Sequence, residues 1–497
     1  MSKFPVADVL ICGAGAAGLT LAIELARRGV SLRLVDKMDG PFHGSRGKGI
    51  QPRTQEIFED LGIIDRVVAS GGLYPPQREY DNDGNYTESD VGENAFSTPA
   101  EPYPLPLLVP QFRTEAILRE RLVELGHRPE YECELTAFEQ VNDGVVARIA
   151  GPAGEEIIHA RYLVGADGGR SFVRTSLGIG FPGKALGVRA VVADVLMTGL
   201  ERDVWHRFNG NSPARQLSLC PLPGTQFVQI QTPIPLEGDI DLSATGLTSM
   251  MAELTDRDDI HVQFVSWASA YNMSARLAEH YRKGSVFLVG DAAHIHPPTG
   301  GQGLNASVQD AYNLGWKLAA VITGAPDGLV DSYEDERRPV AAAMLDLSTK
   351  LLGSLRQGEF RRGREVHQLE IGYPESSLSM TSPERSGGPL AGARAPDAPI
   401  RRAAGQLTRL FELFKGTHWT LIGYDVDRQL VKPRAGLHIH TFGPRGDLID
   451  EGGHFGEAYS LASGEWVLVR PDGHISVIIT STQVQSLEEY FRSVGLD

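Results

Sequence analysis

Apolar and polar positions near the start of the chain fall into blocks that predict alternating strands and helices. Residues 8–12 are a short apolar run, a glycine-rich turn follows, and apolar residues from 19 to 28 recur with helical spacing. Gly29 ends this helix, and a second apolar run finishes at Asp36. The order strand, turn, helix, strand is one βαβ unit, so the pattern predicts an α/β fold with a parallel sheet.

Downstream segments continue this α/β core and then leave it. The pattern predicts a helix over 114–125 and a hairpin around residues 142–144. From about 180 to 275 the chain is strand-like with several prolines and little helical periodicity, which indicates a separate sheet. A buried strand over 285–291 and a helix over 305–323 return the chain to the core.

The C-terminal residues form a further small α/β unit behind a linker-like stretch. Residues 380–400 are rich in proline, glycine and charged side chains, which is typical of a linker. Beyond them, apolar spacing predicts a helix over 407–414, and two strands flank residues 471–473. A closing helix is predicted over 484–491.

Composition and net charge indicate a folded protein that does not bind nucleic acid. The chain has 497 residues, and its 47 Lys and Arg against 63 Asp and Glu give a net charge of −16. The composition is that of a folded protein, and the length suggests roughly three domains. Because phosphate binding depends on basic patches, this acidic chain is a poor partner for nucleic acid or an anionic membrane. The densest basic cluster, Arg361, Arg362 and Arg364, is predicted to be a solvated helix face.

Cysteine usage and the length of apolar runs indicate a cytoplasmic protein. Cys12, Cys133 and Cys220 are far apart and include no CxxC pair, so neither a disulfide framework nor a cysteine-rich zinc site is expected. The long apolar run at residues 9–23 is interrupted by glycines and is too short to span a bilayer. We therefore expect a reducing compartment and no membrane partner.

The glycine-rich turn carries the first chemical signal. GAGAAG, from Gly13 to Gly18, has the G-x-G-x-x-G spacing and lies between a strand and a helix. Gly13 permits the tight turn, Gly15 lets a diphosphate approach the backbone, and Gly18 lets helix and strand pack closely. Asp36 stands where a carboxylate can accept hydrogen bonds from ribose hydroxyls. The pattern predicts a dinucleotide site, with a simple packing turn as the alternative, and it does not separate NAD from FAD.

A second motif favours a flavin. GDAAHIHPPTGGQGLN, residues 290–305, begins at a predicted strand end and runs into a helix. Asp291 can accept from a ribityl hydroxyl, and the backbone N–H groups of the glycine loop suit a phosphate or an anionic flavin ring. The alternative is a flexible glycine loop with a helix cap, but the acid, the paired prolines and the glycines together argue against it.

These motifs together resemble the class A flavin monooxygenases, the family of p-hydroxybenzoate hydroxylase and phenol hydroxylase. GAGAAG with Asp36, YLVGADGGRSFVR at 162–174 and VFLVGDAAHIHPPTGGQGLN at 286–305 match its three motifs in order. LVDSYEDERRPVA at 330–342 is also similar, so the resemblance covers about residues 1–345. Asp36 departs mildly from the glutamate that is commoner in the family, although either carboxylate can reach a ribose.

The resemblance implies a set of cofactor contacts within these motifs. They are Gly13, Gly15, Ala16, Ala17, Gly18, Asp36, Lys37, Arg46, Gln111, Arg113, Asp167, Asp291, Gly301, Gly303, Leu304 and Asn305. Asp36 would bind the adenosine ribose, Arg46 the diphosphate and Asp291 the ribityl chain. Pro297 would present its carbonyl near flavin N5, and residues 303–305 would border the isoalloxazine.

Several of these assignments leave an alternative open. Gln111 and Arg113 both fall near the family's flavin-side polar residue, and the sequence does not decide between them. Arg46 could instead be a surface arginine. Asp167, which with Arg170 belongs to a motif implicated in FAD and NADPH contact, could equally form an Asp-Gly turn.

The resemblance also implies three domains. The FAD-binding domain would comprise residues 1–72, 100–178 and 278–380. A β-sheet substrate domain, residues 73–99 and 179–277, would roof the flavin. Residues 395–497 are similar to the thioredoxin-like domain of the phenol hydroxylase and polyketide hydroxylase branches, but they contain no cysteine, which excludes disulfide redox chemistry there. We expect a structural role for this domain, with contacts in a homodimer as one option.

The activity implied by the resemblance is hydroxylation of an aromatic substrate, phenolic or polyketide-type. FAD reduced by NAD(P)H would react with O2 and deliver one oxygen atom through a flavin C4a-hydroperoxide, while the protein positions and shields the reactants. The alternatives are an FAD-dependent oxidase or dehydrogenase that inserts no oxygen, and a non-catalytic FAD-stabilised binding protein.

The sequence specifies neither the substrate nor the base that would activate it. Candidates in the predicted roof for phenol activation or anion binding are His206, Arg207, Arg215 and Tyr271. Each is more often an ordinary sheet residue. Two histidine pairs, His294/His296 and His438/His440, could each face one side of a strand, but the first lies inside the flavin motif and the second lacks identifiable partners. No metal is therefore expected.

Overall fold

The structure is a computed structural model that describes residues 6–81, 83–91, 96–208, 215–356, 363–385 and 387–496. Within these ranges the strands are β1 (Val6–Cys12), β2 (Leu32–Val35), β3 (Gly49–Ile50), β4 (Gly72–Leu73), β5 (Gln77–Tyr80), β6 (Tyr86–Ser89), β7 (Leu107–Leu108), β8 (Glu134–Val141), β9 (Gly144–Gly151), β10 (Gly154–Gly165), β11 (Gly183–Thr198), β12 (Trp205–Phe208), β13 (Leu217–Pro221), β14 (Val228–Ile234), β15 (His261–Leu277), β16 (Arg282–Lys283), β17 (Val286–Leu288), β18 (His294–Ile295), β19 (Met380–Thr381), β20 (Pro399–Arg402), β21 (Leu407–Arg409), β22 (Trp419–Tyr424), β23 (Leu437–Phe442), β24 (Leu448–Asp450), β25 (Glu465–Val469) and β26 (Ile475–Thr480). The α-helices of the same ranges are α1 (Ala16–Ala26), α2 (Pro52–Asp60), α3 (Ile64–Ser70), α4 (Gln111–Glu124), α5 (Phe172–Ser176), α6 (Ala244–Thr255), α7 (Gly303–Ile322), α8 (Ser332–Arg356), α9 (Leu410–Phe414), α10 (His454–Tyr459) and α11 (Gln485–Ser493). Arg361 and Arg362 of the predicted basic cluster lie outside the described residues.

A mixed sheet with a parallel centre forms the core that carries both glycine motifs. Its strands run in the order β16–β17–β10–β1–β2, and the predicted hairpin β8–β9 continues it beside β10. β2, β1, β10 and β17 are parallel, as the βαβ pattern predicts. Gly13, Asp36, Asp167 and Asp291 each follow the end of one of these parallel strands closely. The carboxyl ends of parallel strands meet at one edge, so the sheet gathers all four residues there.

A second sheet has one apolar face and one polar face. Its order is β18–β15–β11–β14–β13–β12–β5–β6. Val191, Leu219 and Ile230 lie on the apolar face and pack with Leu247 and Met251 of α6. The alternate positions on these strands face the other way, because successive side chains of a strand point to opposite sides. We call this sheet the roof and its second side the inner face.

Two details of the roof differ from the prediction. The expectation of little helix between 180 and 275 is wrong, because α6 lies within that segment, and the Ser243 hydroxyl accepts from the N–H of Gly246 at its start. The roof also extends into the flavin motif, since β18 pairs with the end of β15. That pairing ties the motif loop directly to the roof.

The C-terminal region forms a third sheet with parallel and antiparallel pairs, in the order β19–β26–β25–β22–β23–β24–β20–β21. The predicted hairpin around residues 471–473 and the closing helix α11 are present. The predicted helix over 407–414 is partly wrong, because 407–409 form β21 and pair with β20, leaving only 410–414 helical. Tertiary pairing here overrides local helical spacing.

The stretch predicted as a linker is packed against the core. β19 pairs with β26, and Arg394 forms a buried ion pair with Glu56 of α2, with Nη1 3.0 Å from Oε1. Asp397 is likewise buried and forms an ion pair with Arg409. Its second half is therefore held by buried charge pairs, whereas residues around Glu384 are exposed to solvent.

Buried charges also hold the third sheet against α7 and α8. Glu336 of α8 accepts from Lys317 Nζ at 2.7 Å and from both amino groups of Arg470 at 2.7 and 2.9 Å. Arg470 pairs in turn with Asp472. All four side chains are essentially inaccessible, so each charge depends on its partners.

Candidate cofactor and substrate site

The glycine turn between β1 and α1 is shaped for close approach. Gly13 has φ +109°, and a Cβ there would lie 2.2 Å from the carbonyl oxygen of Ala166. Gly15 differs, because a Cβ there would meet only Glu115 Oε1, at 3.9 Å. The backbone N–H groups of Ala16 and Ala17 belong to the first turn of α1, which has no side-chain cap. The turn can therefore present donors to a diphosphate.

Asp36 is held rigidly beside this turn. Its Oδ2 accepts from the N–H of Ala14 at 2.7 Å, and its Oδ1 accepts from the N–H of Met38 at 2.9 Å. Each oxygen keeps a further lone pair, so the oriented carboxylate can still accept from ribose hydroxyls. The adjacent Lys37 is exposed.

Gln111 and Arg113, the two candidates for the flavin-side polar residue, have different surroundings at the start of α4. Gln111 Oε1 accepts from the N–H of Gly47 at 3.0 Å, and its Nε2 donates to Glu115 at 2.8 Å. Arg113 is exposed to solvent instead. Gln111 is therefore the one that lies beside the loop carrying Arg46.

Asp167 keeps an unpaired oxygen at the same sheet edge. Its Oδ2 accepts from the N–H of Val173 at 3.1 Å, but its buried Oδ1 has no hydrogen-bond partner among the described residues. Buried acceptors normally have a donor, and a cofactor hydroxyl could supply one. Arg170 is exposed. The residues gathered at this edge thus fit a dinucleotide cofactor such as FAD.

We call the region between the glycine-motif edge of the core sheet and the inner face of the roof the cleft. Arg46 and Asp291 bring opposite charges to it. The Asp291 carboxylate is solvent-accessible and makes no hydrogen bond or ion pair within the described chain. Desolvation by the surrounding cleft raises the pKa of Asp291, and His294 and Arg46 oppose that shift. The Arg46 guanidinium lies 5.7 Å from the ring centroid of Phe42 and 5.8 Å from that of Trp267. Arg46 is exposed, and its side chain contacts the roof through Trp267.

The loop before α7 combines a buried proline with open glycine backbone. Pro297 is buried and Leu304 is half-buried, whereas a Cβ on Gly303 would meet no described atom within 4 Å. The first intrahelical bond of α7 runs from the N–H of Ala306 to the carbonyl of Gln302, so the three preceding N–H groups have no helical acceptor. They can serve a flavin ring or phosphate.

The Asn305 side chain is engaged within the protein. Its Oδ1 accepts from the N–H of Gln51 at 2.9 Å, and its Nδ2 donates to the carbonyls of Gly49 and Gly301 at 2.8 and 2.7 Å. Asn305 thus fixes two loops against each other. What it offers a cofactor is its backbone N–H.

A buried charge network lies beneath this loop and was not found from the sequence. Asp310 Oδ2 accepts from His294 Nε2 at 2.6 Å, and its Oδ1 accepts from Arg337 Nε at 2.7 Å. Burial opposes the charged form of Asp310, but His294 and Arg337 outweigh it and hold its pKa below the usual value. His296 Nε2 lies 2.8 Å from His294 Nδ1, and burial beside His294 lowers the pKa of His296 to about 3. The sequence signal that could have indicated this network is Asp310, a charged residue among the apolar positions of α7.

The inner face of the roof carries polar and aromatic side chains over the Arg46 loop. Asp194 is cross-strand neighbour of both Trp267 and Gln229. Its Oδ1 accepts from Ser45 Oγ at 2.5 Å, and Gln229 Nε2 donates to the same hydroxyl at 2.8 Å. Burial raises the pKa of Asp194 to about 6, against the hydrogen bonds from Ser45. Tyr271 is on the same face, and burial raises its pKa to about 12 against the effect of Arg46.

The other roof candidates have structural partners. His206 lies on the α6 side, between the Tyr80 hydroxyl at 2.8 Å and the carbonyl of Glu201 at 2.8 Å. Arg207 is buried against Glu79, and the exposed Arg215 bonds the carbonyl of Glu253. Tyr271, by contrast, lies within the electrostatic reach of Arg46.

The described residues contain neither a metal-binding cluster of side chains nor a helix able to cross a membrane. No group of three or more His, Cys, Asp and Glu side chains there could hold a metal ion. His438 stacks on His418, and His440 pairs with Asp447. None of the helices described is both long and apolar enough to cross a membrane.

Fold and site together define a flavin enzyme with a roofed cleft, and comparison with known proteins agrees. Residues 6–348 match the FAD binding domain family, and residues 388–494 match the family described as aromatic-ring hydroxylase, C-terminal. The chain therefore belongs to the FAD-dependent aromatic-ring monooxygenases, and its cofactor is FAD.

Individual relatives match over nearly their whole length. A flavin-dependent monooxygenase of Mycobacteroides abscessus is 41% identical, with 95% of this chain and 97% of the relative covered. A 12-dehydrotetracycline 5-monooxygenase/anhydrotetracycline 6-monooxygenase of Streptomyces rimosus is 34% identical, with 94% of each covered. The solved structure of aklavinone-11 hydroxylase with FAD and aklavinone has a TM-score of 0.84 and 27% identity, with 99% of each chain covered. The predicted fold class, family and cofactor are confirmed.

Proposed function

We propose that this monooxygenase uses NAD(P)H and O2 to hydroxylate a polyketide-type aromatic substrate bearing several oxygen groups. The observation that carries the proposal is the inner face of the roof. Gln231, Ser269 and Tyr271 alternate there with residues of the apolar face, and Trp267 adds an aromatic surface. Such a face offers stacking and hydrogen bonds over a wide area, which a single phenol ring would leave largely unused.

Two relatives support this substrate class by their names, which refer to anhydrotetracycline and aklavinone. The same comparison favours oxygen insertion over the oxidase, dehydrogenase and binding-protein alternatives. The division into FAD-binding, roof and C-terminal domains, a cytoplasmic location and a homodimer stay predictions alongside it.

The proposal assigns the cofactor contacts by their place at the sheet edge. Gly13, Gly15 and the N–H groups of Ala16 to Gly18 would hold the diphosphate, with Asp36 and Lys37 at the adenosine ribose. Asp167 and Asp291 would accept from cofactor hydroxyls, and Arg46 and Gln111 would border the diphosphate and flavin. The N–H groups of Gly303, Leu304 and Asn305, with Gly301 and the Pro297 carbonyl, would border the flavin ring.

When bound, FAD supplies the transfer of electrons from NAD(P)H and the activation of O2. The protein's own residues bind, orient and exclude water. Trp267 and Phe42 pack edge to face at one side of the cleft, with ring centroids 5.2 Å apart. The Arg46 guanidinium beside them would favour a substrate hydroxyl in its ionised, electron-rich form.

The test compares phenols of increasing ring number under oxygen-18 gas. We expect multi-ring hydroxylated aromatics to stimulate NAD(P)H oxidation most and to gain one labelled oxygen atom per product. Unlabelled product with stoichiometric peroxide across several stimulating compounds would end the monooxygenase assignment. Stimulation by single-ring phenols alone would end the polyketide-type assignment and leave the enzyme class intact.

A further inference from the structure

One side of α4 carries polar side chains that follow the cofactor cleft. Gln111, Glu115 and Arg119 share this side, because residues four apart on a helix are neighbours. Eight residues of helix rise about 12 Å, which is enough to follow a diphosphate and its ribose. Gln111 contacts Gly47 at one end, and Arg119 lies within electrostatic reach of Tyr131 at the other.

Glu115 in the middle of this row faces the second glycine of the turn. It is 1% exposed, and its Oε1 lies 3.9 Å from where a Cβ on Gly15 would be. Outside the chain neighbours of Gly15, no other described atom comes within 4 Å of that position. The N–H of Ala16 lies close enough to favour the charged form of the Glu115 carboxyl. Glu115 therefore occupies the helix N-terminus that a diphosphate would approach.

Two polar atoms lie buried at the Arg119 end. Arg119 Nη1 and the Tyr131 hydroxyl have no hydrogen bond of good geometry among the described residues, although the Arg119 guanidinium interacts with the Tyr131 oxygen. The charges of Arg119 and Asp36 both act on Tyr131 and on Glu115, so these four side chains lie near one another. A ligand with oxygen acceptors and hydroxyls would satisfy both atoms.

A diphosphate bound at the Gly15 turn would be repelled by a negatively charged Glu115. Burial raises the pKa of Glu115 to about 7, against the hydrogen bond from Gln111, the charge of Arg119 and the N–H of Ala16. The charged and titratable groups that face it are Arg119 on α4, Asp36 after β2, and Tyr131. A proton near neutral pH can therefore remove the repulsion.

We infer that Glu115 takes up one proton when FAD binds, and that Arg119 and Tyr131 contact the bound cofactor. The proton comes from solvent and forms the O–H bond of the Glu115 carboxyl, with no electron transfer. Because the bound diphosphate favours the neutral carboxyl further, FAD binds best below the pKa of Glu115 in the apoprotein. Its affinity falls as pH rises through that value.

The experiment titrates FAD into apoprotein and follows flavin fluorescence from about pH 6 to about pH 8.5. The wild-type Kd should rise toward tenfold per pH unit above about pH 7, the limit for one linked proton. Glu115→Gln keeps the shape and hydrogen bonding but no charge, so its Kd should stay near the low-pH wild-type value throughout. Glu120→Gln, an exposed position on the same helix, should match the wild type.

Calorimetry in two buffers of different ionisation enthalpy counts the protons directly. Wild-type protein at about pH 8 should take up close to one proton per FAD, and Glu115→Gln close to none. Arg119→Gln should weaken FAD binding about tenfold or more at every pH, as loss of a charged contact predicts. Absence of proton uptake in the wild type overturns the inference even if Glu115→Gln fails to fold, and so does an unchanged pH slope in Glu115→Gln. No substrate is present, so the outcome is independent of the proposed function.

Discussion

Replacing Asp310 by asparagine tests whether the buried charge network supports the flavin loop. The substitution keeps the shape of the side chain, but it removes the charge that faces both Arg337 and His294. Arg337 is 1% exposed, so its guanidinium would be left buried without its carboxylate partner. The N–H of Gly290, which donates to Asp310 at 3.2 Å, would also lose a charged acceptor at the start of the flavin motif.

The expected penalty is about 3–5 kcal/mol, the usual cost of breaking one side of a buried ion pair. Its pH dependence follows from the lowered pKa of Asp310. Because the pKa of Asp310 is lower in the folded protein than the value of about 3.9 in the unfolded chain, its charge stabilises the fold at pH values above about 3.9. This stability is lost as the pH falls through the pKa of the folded state. The penalty of Asp310→Asn should therefore be constant between about pH 6 and pH 8 and should shrink in acid.

The assay is urea-induced release of FAD, followed by flavin fluorescence at one fixed FAD concentration because ligand binding shifts apparent stability. Asp327→Asn is the matched control, since Asp327 pairs with Arg282 but its side chain is 62% exposed. Exposed pairs are worth about 0–1 kcal/mol. If the two variants release FAD at the same urea concentration, the network does not support the loop as argued.

Two further changes test the cofactor site. Asp291→Ala should weaken FAD binding at least about tenfold, because a lost hydrogen bond to a charged group costs about 1.5–3 kcal/mol; an unchanged Kd in a fluorescence titration would show that Asp291 is misassigned. Gly13→Ala should abolish FAD binding, because the added Cβ would lie 2.2 Å from a carbonyl oxygen at a φ of +109°. Gly40→Ala is its control, because a Cβ there would meet no described atom within 4 Å beyond its chain neighbours; equal FAD retention by both variants would refute the packing argument.

Much of the core was predictable because its signals are local. The apolar run of β1, the turn from Gly13 and the helix that follows are set by neighbouring residues, and the structure confirms them. The same holds for the hairpin β8–β9 and for the loop leading into α7. Even the meeting of Asp36, Asp167 and Asp291 at one edge follows once the strands are taken as parallel.

The departures arise where a distant partner decides local structure. α6 forms in a strand-like region because its apolar side covers the roof, and residues 407–409 become a strand because β20 pairs with them. The stretch around Arg394 has the composition of a linker, but it is held in place by a buried ion pair with Glu56, which is distant in sequence. These contacts join residues that are distant in sequence, so local sequence patterns do not predict them.

The sequence by itself determined the βαβ core, the cofactor class and the sheet edge that gathers Asp36, Asp167 and Asp291, since glycine conformations and hydrophobic periods act over a few residues. Only the tertiary structure decided the partners of the buried charges. Glu115 faces Gly15, Asp194 meets Ser45, and Asp310 meets Arg337 across loops and helices distant in sequence. A buried charge is stable only beside a partner that folding brings to it, so its identity is a property of the packed chain.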